Sequence, residues 1–170
     1  MEVFDAVRTV LAVRAYQDKP VPEDVIRRIV EAAHLTASSR NGQPWHFIVI
    51  QDREKLRRIA PLAKTGPYIE QAPLAIAVAY DKDSVYGVSD TSRAIQSMVL
   101  TAWSEGVGSN WVGFDGTLND VNAELGLPDN VQLVGILPFG YPEKKLGKGK
   151  KNRKPFGEVV YKERFGTPYA

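Results

Sequence analysis

The feature that most limits the possible folds of this chain is the apolar run LAIAVAY at residues 74–80, which follows Ala72-Pro73. A strand with one face in water alternates apolar and polar side chains, whereas a continuous apolar run is typical of a strand buried on both faces. Helices usually cover the faces of such a sheet. The run therefore predicts a central strand in a sheet that helices flank.

Apolar periodicity predicts the elements around this strand. The predicted helices cover residues 3–11, 22–33, 53–63, 91–105 and 118–125, and the further predicted strands cover residues 45–51 and 131–139. Pro22, Glu23 and Asp24 mark a helix start, because proline fits the first turn and acids fit the positive end of the helix dipole. Helices and strands in mixed order, without a repeat or a linker, predict an α+β fold in one domain over residues 1–170. The predicted sheet is central and mixed or antiparallel, and residues 141–170 form a basic segment and a C-terminal extension.

The longest predicted helix, residues 91–105, carries apolar side chains on more than one stripe. A helix that is apolar nearly all round lies in a core or at a subunit interface. We therefore expect this helix to be buried, either by the rest of the chain or by a second copy.

The chain of 170 residues contains no cysteine. Disulfides, thiolate nucleophiles, cysteine-bound zinc and iron–sulfur clusters are thereby excluded, so any redox chemistry requires a bound organic cofactor. No stretch approaches the roughly 18 consecutive apolar residues of a membrane helix, and the first residues lack the regions of a secretion signal. We expect a cytoplasmic protein that binds no metal and no membrane.

Positive charge is concentrated at residues 144–154 (KKLGKGKKNRK), which hold seven basic residues and no acid, whereas the other residues comprise 15 basic and 20 acidic ones. Such a segment suits phosphate-bearing ligands. The alternative is a solvated tail. A nucleic-acid-binding module would interleave aromatic residues for base stacking, and this segment has none, so no nucleic-acid partner is expected.

Residues 36–47 (TASSRNGQPWHF) connect an amphipathic helix to a strand. Their small hydroxyl residues, asparagine and glycine make a loop rich in hydrogen-bond donors, and such loops commonly carry binding sites on a rigid scaffold. The loop is therefore a candidate site for a polar, planar ligand. The alternative is a simple helix-to-strand turn with Trp45 in the core.

Five sequence elements occur in the order and spacing of one family. They are Arg14-x-Tyr16-x-x-x-Pro20-Val21, Ser38-x-x-Asn41-x-Gln43-Pro44-Trp45, Gly106-Val107-Gly108-Ser109-x-Trp111-x-Gly113, Gly140-Tyr141-Pro142 and Lys151-x-Arg153-Lys154-Pro155. With them the chain resembles the FMN-dependent nitroreductase family over residues 3–160, as a short member. The resemblance implies an intertwined homodimer with FMN at the interface and a C-terminal extension that reaches the partner subunit. It also implies ping-pong transfer of hydride from NAD(P)H to a nitroaromatic, quinone or similar small electrophile.

The resemblance also implies the cofactor-binding residues. Arg14, Lys151 and Arg153 match the contacts to the phosphate and ribityl chain. Ser38, Ser39 and Asn41 match contacts to the flavin ring from the partner subunit, and Gln43 belongs to the same loop. Trp111, Val112 and Gly113 match the loop along the ring, whose backbone N–H groups would reach the flavin N5 and O4 unless Asp115-Gly116 take that role.

One position departs from the family pattern. The family usually has Arg-Arg-Ser-x-Arg at the end of the first helix, whereas this chain has Val10-Leu11-Ala12-Val13-Arg14, so the first arginine and the serine, two polar flavin contacts of the family, are replaced by apolar residues. Another flavin task, such as dehalogenation or flavin breakdown, and a non-catalytic flavin- or nucleic-acid-binding protein therefore stay open as alternatives. His34 and His46 have no acid nearby at ligand spacing, and we interpret both as structural. No catalytic side chain is predicted, because the flavin carries the chemistry.

Overall fold

A computed structural model describes residues 1–63, 65–113, 118–144 and 151–169, with the backbone alone at 118 and 119. The helices are α1 (Val3–Thr9), α2 (Glu23–His34), α3 (Arg53–Ile59), α4 (Gly87–Ser104) and α5 (Leu118–Leu125). The strands are β1 (Trp45–Ile50), β2 (Leu74–Asp81), β3 (Gly108–Ser109) and β4 (Val131–Gly140). Short 3-10 turns occupy Ser39–Asn41, Ala60–Leu62, Pro67–Gln71 and Phe156–Glu158. Within these ranges, no helix is both long enough and apolar enough to cross a membrane.

The four strands form one antiparallel sheet in the order β1-β2-β4-β3. Strand β2 pairs with β1 on one edge and with β4 on the other, so it lies inside the sheet as the apolar run predicts. The predicted α+β class is confirmed, and the sheet is antiparallel rather than mixed.

Strand β2 supplies two hydrophobic cores. Leu74, Ile76 and Val78 pack on one side with residues of α2 and α4, whereas Ala75 and Ala77 pack on the other side with residues of α3 and α5. Successive side chains of a strand point to opposite faces, so a continuous apolar sequence serves both layers.

The pairing of β2 with β4 contains one irregularity. Val78 lies opposite Gly135 and Ala79 lies opposite Leu133, so Val134 is an extra residue on β4. This is the pattern of a β-bulge. Because of it, Leu133 joins Ile136 in the core that contains Ala75 and Ala77.

Several elements differ from the sequence prediction, among them α3, which ends at Ile59 rather than at residue 63 because Ala60–Leu62 continue as a 3-10 turn. Helix α1 ends at Thr9 rather than at residue 11, because the chain then becomes extended and Ala12 forms a parallel bridge with Ser109. Helix α4 starts at Gly87, four residues earlier than predicted. The two-residue strand β3 was not predicted, since its stabilisation comes from pairing with the end of β4 and from the bridge to Ala12, both distant in the sequence.

Candidate functional site

The loop after α2, residues 38–43, is called the signature loop below, and its backbone is unusual. Arg40, Asn41 and Gln43 have φ values of 54°, 56° and 47°. Residues with a Cβ rarely adopt this left-handed region, which costs about 1–2 kcal/mol for each. Such conformations persist only where the surroundings hold them, and they cluster at functional sites.

Two backbone–backbone hydrogen bonds, two that involve side chains within the loop, and two to α4 hold this conformation. The Gln43 backbone N–H donates to Ser38 Oγ at 3.0 Å. Ser39 donates from its backbone N–H to Asp90 Oδ2 at 2.9 Å and from its hydroxyl to Asp90 Oδ1 at 3.1 Å. The Gln43 side-chain amide donates to the Asn41 carbonyl at 3.2 Å. The Asn41 and Gln43 side chains are exposed at the tip of the loop.

Asp90, in the first turn of α4, was not predicted from the sequence. It is 1% exposed, and Arg93 Nη1 lies 3.3 Å from its Oδ1. Both donors of Ser39 are thus used to anchor the loop. The direct contact to flavin predicted for Ser39 stays a prediction, and the structure gives this residue a different role in the isolated chain.

A second region, called the cation pocket below, has a volume of about 330 Å³. Its walls come from the chain after α1, from one face of α4, from the chain around β3 and from the C-terminal segment. The lining residues are Val10, Leu11, Ala12, Ile95, Gln96, Val99, Ser109, Asn110, Trp111, Lys151 and Arg153. The fold thus brings together Trp111, Lys151 and Arg153, three residues that the sequence analysis assigned to one site. Val10 and Ala12, where the chain differs from the family pattern, line the same pocket.

The two cations of this pocket bond to backbone carbonyls. Lys151 Nζ donates to the Val7 carbonyl at 2.5 Å, and Arg153 Nη1 donates to the carbonyl of Asn152 at 3.0 Å. In the part of the chain that the structure describes, no carboxylate pairs with either cation. Burial, and then the positive charge of Arg153, lower the pKa of Lys151. A bound anion would relieve the repulsion between the two cations.

The segment before the pocket is tied to the sheet. The Val13 N–H donates to the Ser109 carbonyl at 2.9 Å, and the buried Tyr16 hydroxyl donates to the Val13 carbonyl at 2.7 Å. Burial raises the pKa of the Tyr16 phenol, so Tyr16 stays neutral. Arg14 is exposed between these two residues and lines a neighbouring groove with Glu143 and Lys144. Arg14 therefore does not line the cation pocket with Lys151 and Arg153 in the isolated chain, although Ala12 lines both.

The three residues of the Trp111–Gly113 motif differ in accessibility. Trp111 is 44% exposed and covers Gly135, where a Cβ would lie 2.6 Å from the indole nitrogen. Val112 is buried, and its N–H and carbonyl both bond to Ile136 at 3.0 Å. The N–H of Val112 is thus engaged in the sheet, which argues against the predicted backbone contact to flavin at this residue. Gly113 is exposed, and the alternative donors Asp115-Gly116 lie outside the described residues.

His46 has a partner that the sequence did not predict. Its Nε2 lies 2.8 Å from Asp81 Oδ1, across the pairing of β1 with β2. The described residues contain no group of three His, Cys, Asp or Glu side chains that could hold a metal ion. Of the basic segment, residues 145–150 lie outside the described ranges.

The signature loop and the cation pocket are separate in one chain, because none of residues 38–43 lines the pocket. The pocket combines cations, amide and hydroxyl groups with apolar walls, so it suits a ligand with a phosphate, a polar chain and an apolar ring. The loop offers exposed amides for a ring edge with both donors and acceptors.

Comparisons with known proteins point to one family. The nitroreductase family profile matches residues 8–82 and 63–141. A protein of Methanothermobacter thermautotrophicus, named as a candidate NADH dehydrogenase/NAD(P)H nitroreductase, is 34% identical over 154 residues, which cover 86% of this chain and 81% of that protein. The FMN reductase (NAD(P)H) of Bacillus subtilis is 27% identical, with 96% of this chain and 74% of that protein covered. The structure of an FMN-dependent nitroreductase from Clostridium difficile superposes with a TM-score of 0.87 at 26% identity, over 95% of this chain and 99% of that one.

Proposed function

This chain belongs to the nitroreductase family, and on that premise we propose that it passes hydride from NAD(P)H to a nitroaromatic, quinone or similar electrophilic acceptor. It is an NAD(P)H-dependent oxidoreductase with FMN as its cofactor. The observation that carries the proposal is the cation pocket, where Lys151 and Arg153 lie beside polar and apolar walls without a carboxylate partner among the described residues.

The donor set of this pocket fits FMN. Lys151 and Arg153 would hold the phosphate, since ammonium and guanidinium groups are the usual phosphate ligands. Gln96, Ser109 and Asn110 line the same pocket and would serve the hydroxyls of the ribityl chain. Val10 and Ala12 have no polar side-chain atom to add, so the two cations carry most of the charge recognition.

The signature loop is proposed to bind the ring edge of FMN from a second copy of the chain. The loop does not reach the cation pocket of its own chain, so a flavin in contact with both requires two subunits. Exposed apolar side chains on α1 and in the C-terminal segment support a homodimer, because such side chains mark interaction surfaces. They are Val3, Phe4, Val7, Phe156, Val159 and Phe165.

When bound, FMN supplies a ring that accepts hydride from NAD(P)H and later releases it to the acceptor. The roles of the chain are then to bind, to orient and to exclude water. Trp111 and the apolar residues Ile95 and Val99 shield one wall of the pocket from solvent. NAD(P)H and the acceptor would use one open face in turn, so ping-pong kinetics are expected.

Flavin titration tests this proposal. The purified protein should bind FMN with flavin absorbance bands, and the bands should bleach when NADH or NADPH is added without oxygen. Initial rates with a quinone at several NAD(P)H concentrations should give parallel double-reciprocal lines, and sedimentation should show a dimer. A protein that binds no flavin at high micromolar concentration would contradict the proposal. Flavin binding without reduction by either nicotinamide would favour the non-catalytic alternative.

A further inference from the structure

The carboxylate of Asp90 is almost fully buried in the first turn of α4. Burying a carboxylate is unfavourable unless donors compensate it, and apolar replacements of buried ionic groups are often as stable or more stable. Asp90 has such donors in Ser39 and Arg93, and it lies near the positive end of α4. What this arrangement provides beyond an apolar residue is a fixed position for Ser39.

Ser39 directly precedes the strained part of the signature loop. Arg40 and Asn41, which follow Ser39, have positive φ values, and so does Gln43. Asp90 holds the loop before these residues, and the bond from the Gln43 N–H to Ser38 Oγ closes the loop after them. The exposed side-chain amides of Asn41 and Gln43 therefore depend on an anchor that lies 51 residues after Ser39 in the chain.

We propose that Asp90 is a positioning residue, which holds the signature loop through Ser39 in the conformation that binds the flavin ring. This rests on the proposed function for the identity of the ligand. Asp90 would not touch the flavin itself, but it would determine the affinity for the flavin ring. The cation pocket, by contrast, determines the affinity for its phosphate.

The two roles separate when FMN is compared with riboflavin, which lacks the phosphate. Asp90→Asn keeps the size of the side chain and removes its charge. The variant should bind FMN and riboflavin about 10- to 100-fold more weakly, by the same factor for both, since asparagine offers Ser39 one acceptor oxygen instead of two and no negative charge. The matched control is Asp83→Asn, at an exposed acid in the turn between β2 and α4, and it should bind both flavins like the wild type.

Hydrogen exchange of the flavin-free protein gives a second readout. The amides of Ser39, Asn41, Gly42 and Gln43 all donate hydrogen bonds within or from the loop. They should exchange about tenfold faster in Asp90→Asn, whereas the amides of β2 should keep their wild-type rates. If this variant does not fold, Ser39→Ala is the alternative, because it removes the bond from the Ser39 hydroxyl to Asp90 and keeps the bond from the Ser39 backbone N–H. It should speed exchange of the same amides by a smaller factor.

Several results would overturn the inference. In the titrations, these are an unchanged flavin affinity of Asp90→Asn or an unequal weakening of FMN and riboflavin. In hydrogen exchange, they are unchanged rates of the loop amides in either variant, or an increase of the rates throughout β2 together with those of the loop. A wild type that binds no flavin would instead contradict the proposed function. In that case the exchange rates alone decide whether Asp90 anchors the loop.

Discussion

The signature loop concentrates backbone strain above a buried carboxylate, whereas the cation pocket holds two positive charges with no carboxylate beside them in the described chain. The loop is held by bonds to Asp90 and within itself. The cations of the pocket bond to backbone carbonyls instead, and the bond from Lys151 ties the C-terminal segment to α1.

The difference teaches how the two ends of one ligand would be recognised. A preformed loop loses little conformational freedom on binding, so its contacts appear directly as affinity. The pocket gains more from the ligand, because an anion removes the repulsion between Lys151 and Arg153. The ring end would thus be fixed before binding, and the phosphate end would be completed by it.

The largest expected effect concerns the two cations. Lys151→Ala or Arg153→Ala should weaken FMN by about 1.5–3 kcal/mol, because a charge-assisted bond to the phosphate is lost. Riboflavin should bind both variants like the wild type, as a titration of each flavin would show. Equal weakening of both flavins would contradict the phosphate role, and no change with either flavin would favour a solvated tail. The losses should exceed those in relatives that keep Arg and Ser at the positions of Val10 and Ala12.

The packing beneath Trp111, which lines the pocket, should be nearly as sensitive to an added methyl group. In Gly135→Ala the new Cβ would lie 2.6 Å from the Trp111 indole nitrogen and 2.8 Å from the Val112 carbonyl oxygen. Overpacking against backbone should lower the free energy of unfolding by about 1–3 kcal/mol in urea denaturation. Gly157→Ala is the control, because no atom of the described residues lies within 4 Å of the position that the new Cβ would take. Equal stability of the two variants would mean that Trp111 moves away freely.

A substitution in the signature loop should raise the free energy of unfolding rather than lower it. Arg40→Gly removes the Cβ from a residue with φ of 54°, so it should stabilise the folded protein by up to about 1 kcal/mol after the greater entropy loss of glycine. Arg27→Gly, in the middle of α2, should instead destabilise it by about 1 kcal/mol. Thermal unfolding of both variants measures the contrast. Destabilisation by Arg40→Gly would show that the arginine side chain itself supports the loop.

The smallest expected effect is a pH dependence of FMN binding. Because the pKa of Lys151 is lowered by burial and by Arg153, the folded protein loses this proton at lower pH than the unfolded chain. Rising pH therefore relieves a destabilising charge and also removes a phosphate ligand. FMN affinity should fall as the pH rises through that lowered pKa, and Lys151→Arg should keep its affinity. Riboflavin serves as the reference, since any loss of affinity at high pH that FMN and riboflavin share must arise from binding of the ring rather than of the phosphate.

Most of the fold was predictable from local patterns. Helix α5 has the predicted bounds, and the apolar run of β2 correctly indicated burial on both faces. The start of α4 was missed because Gly87, Val88 and Ser89 favour no helix by themselves, and β3 was missed because a two-residue strand exists only through its partner. The sequence cannot show such tertiary stabilisation.

The site was predictable in part. The motif residues around Trp111 and the Lys151–Arg153 pair do converge on one pocket. Asp90 left no local signal, because an acid in the first turn of a helix is ordinarily exposed. The contact between His46 and Asp81 was not predicted either, since only the pairing of β1 with β2 brings these two residues together. Family spacing also could not show that the Val112 N–H is used by Ile136.

The extra residue of β4 has a consequence for insertions and deletions. Removing Val134 would restore an unbroken ladder with β2 and leave Leu133 on its present face, because Leu133 and Ile136 would then be two positions apart. Removing one of the regularly paired residues 135–139 would instead move part of the strand to the opposite face and exchange the two cores there. Single-residue gaps among natural versions of this chain should therefore be tolerated at Val134, avoid residues 135–139 and accumulate in the connections.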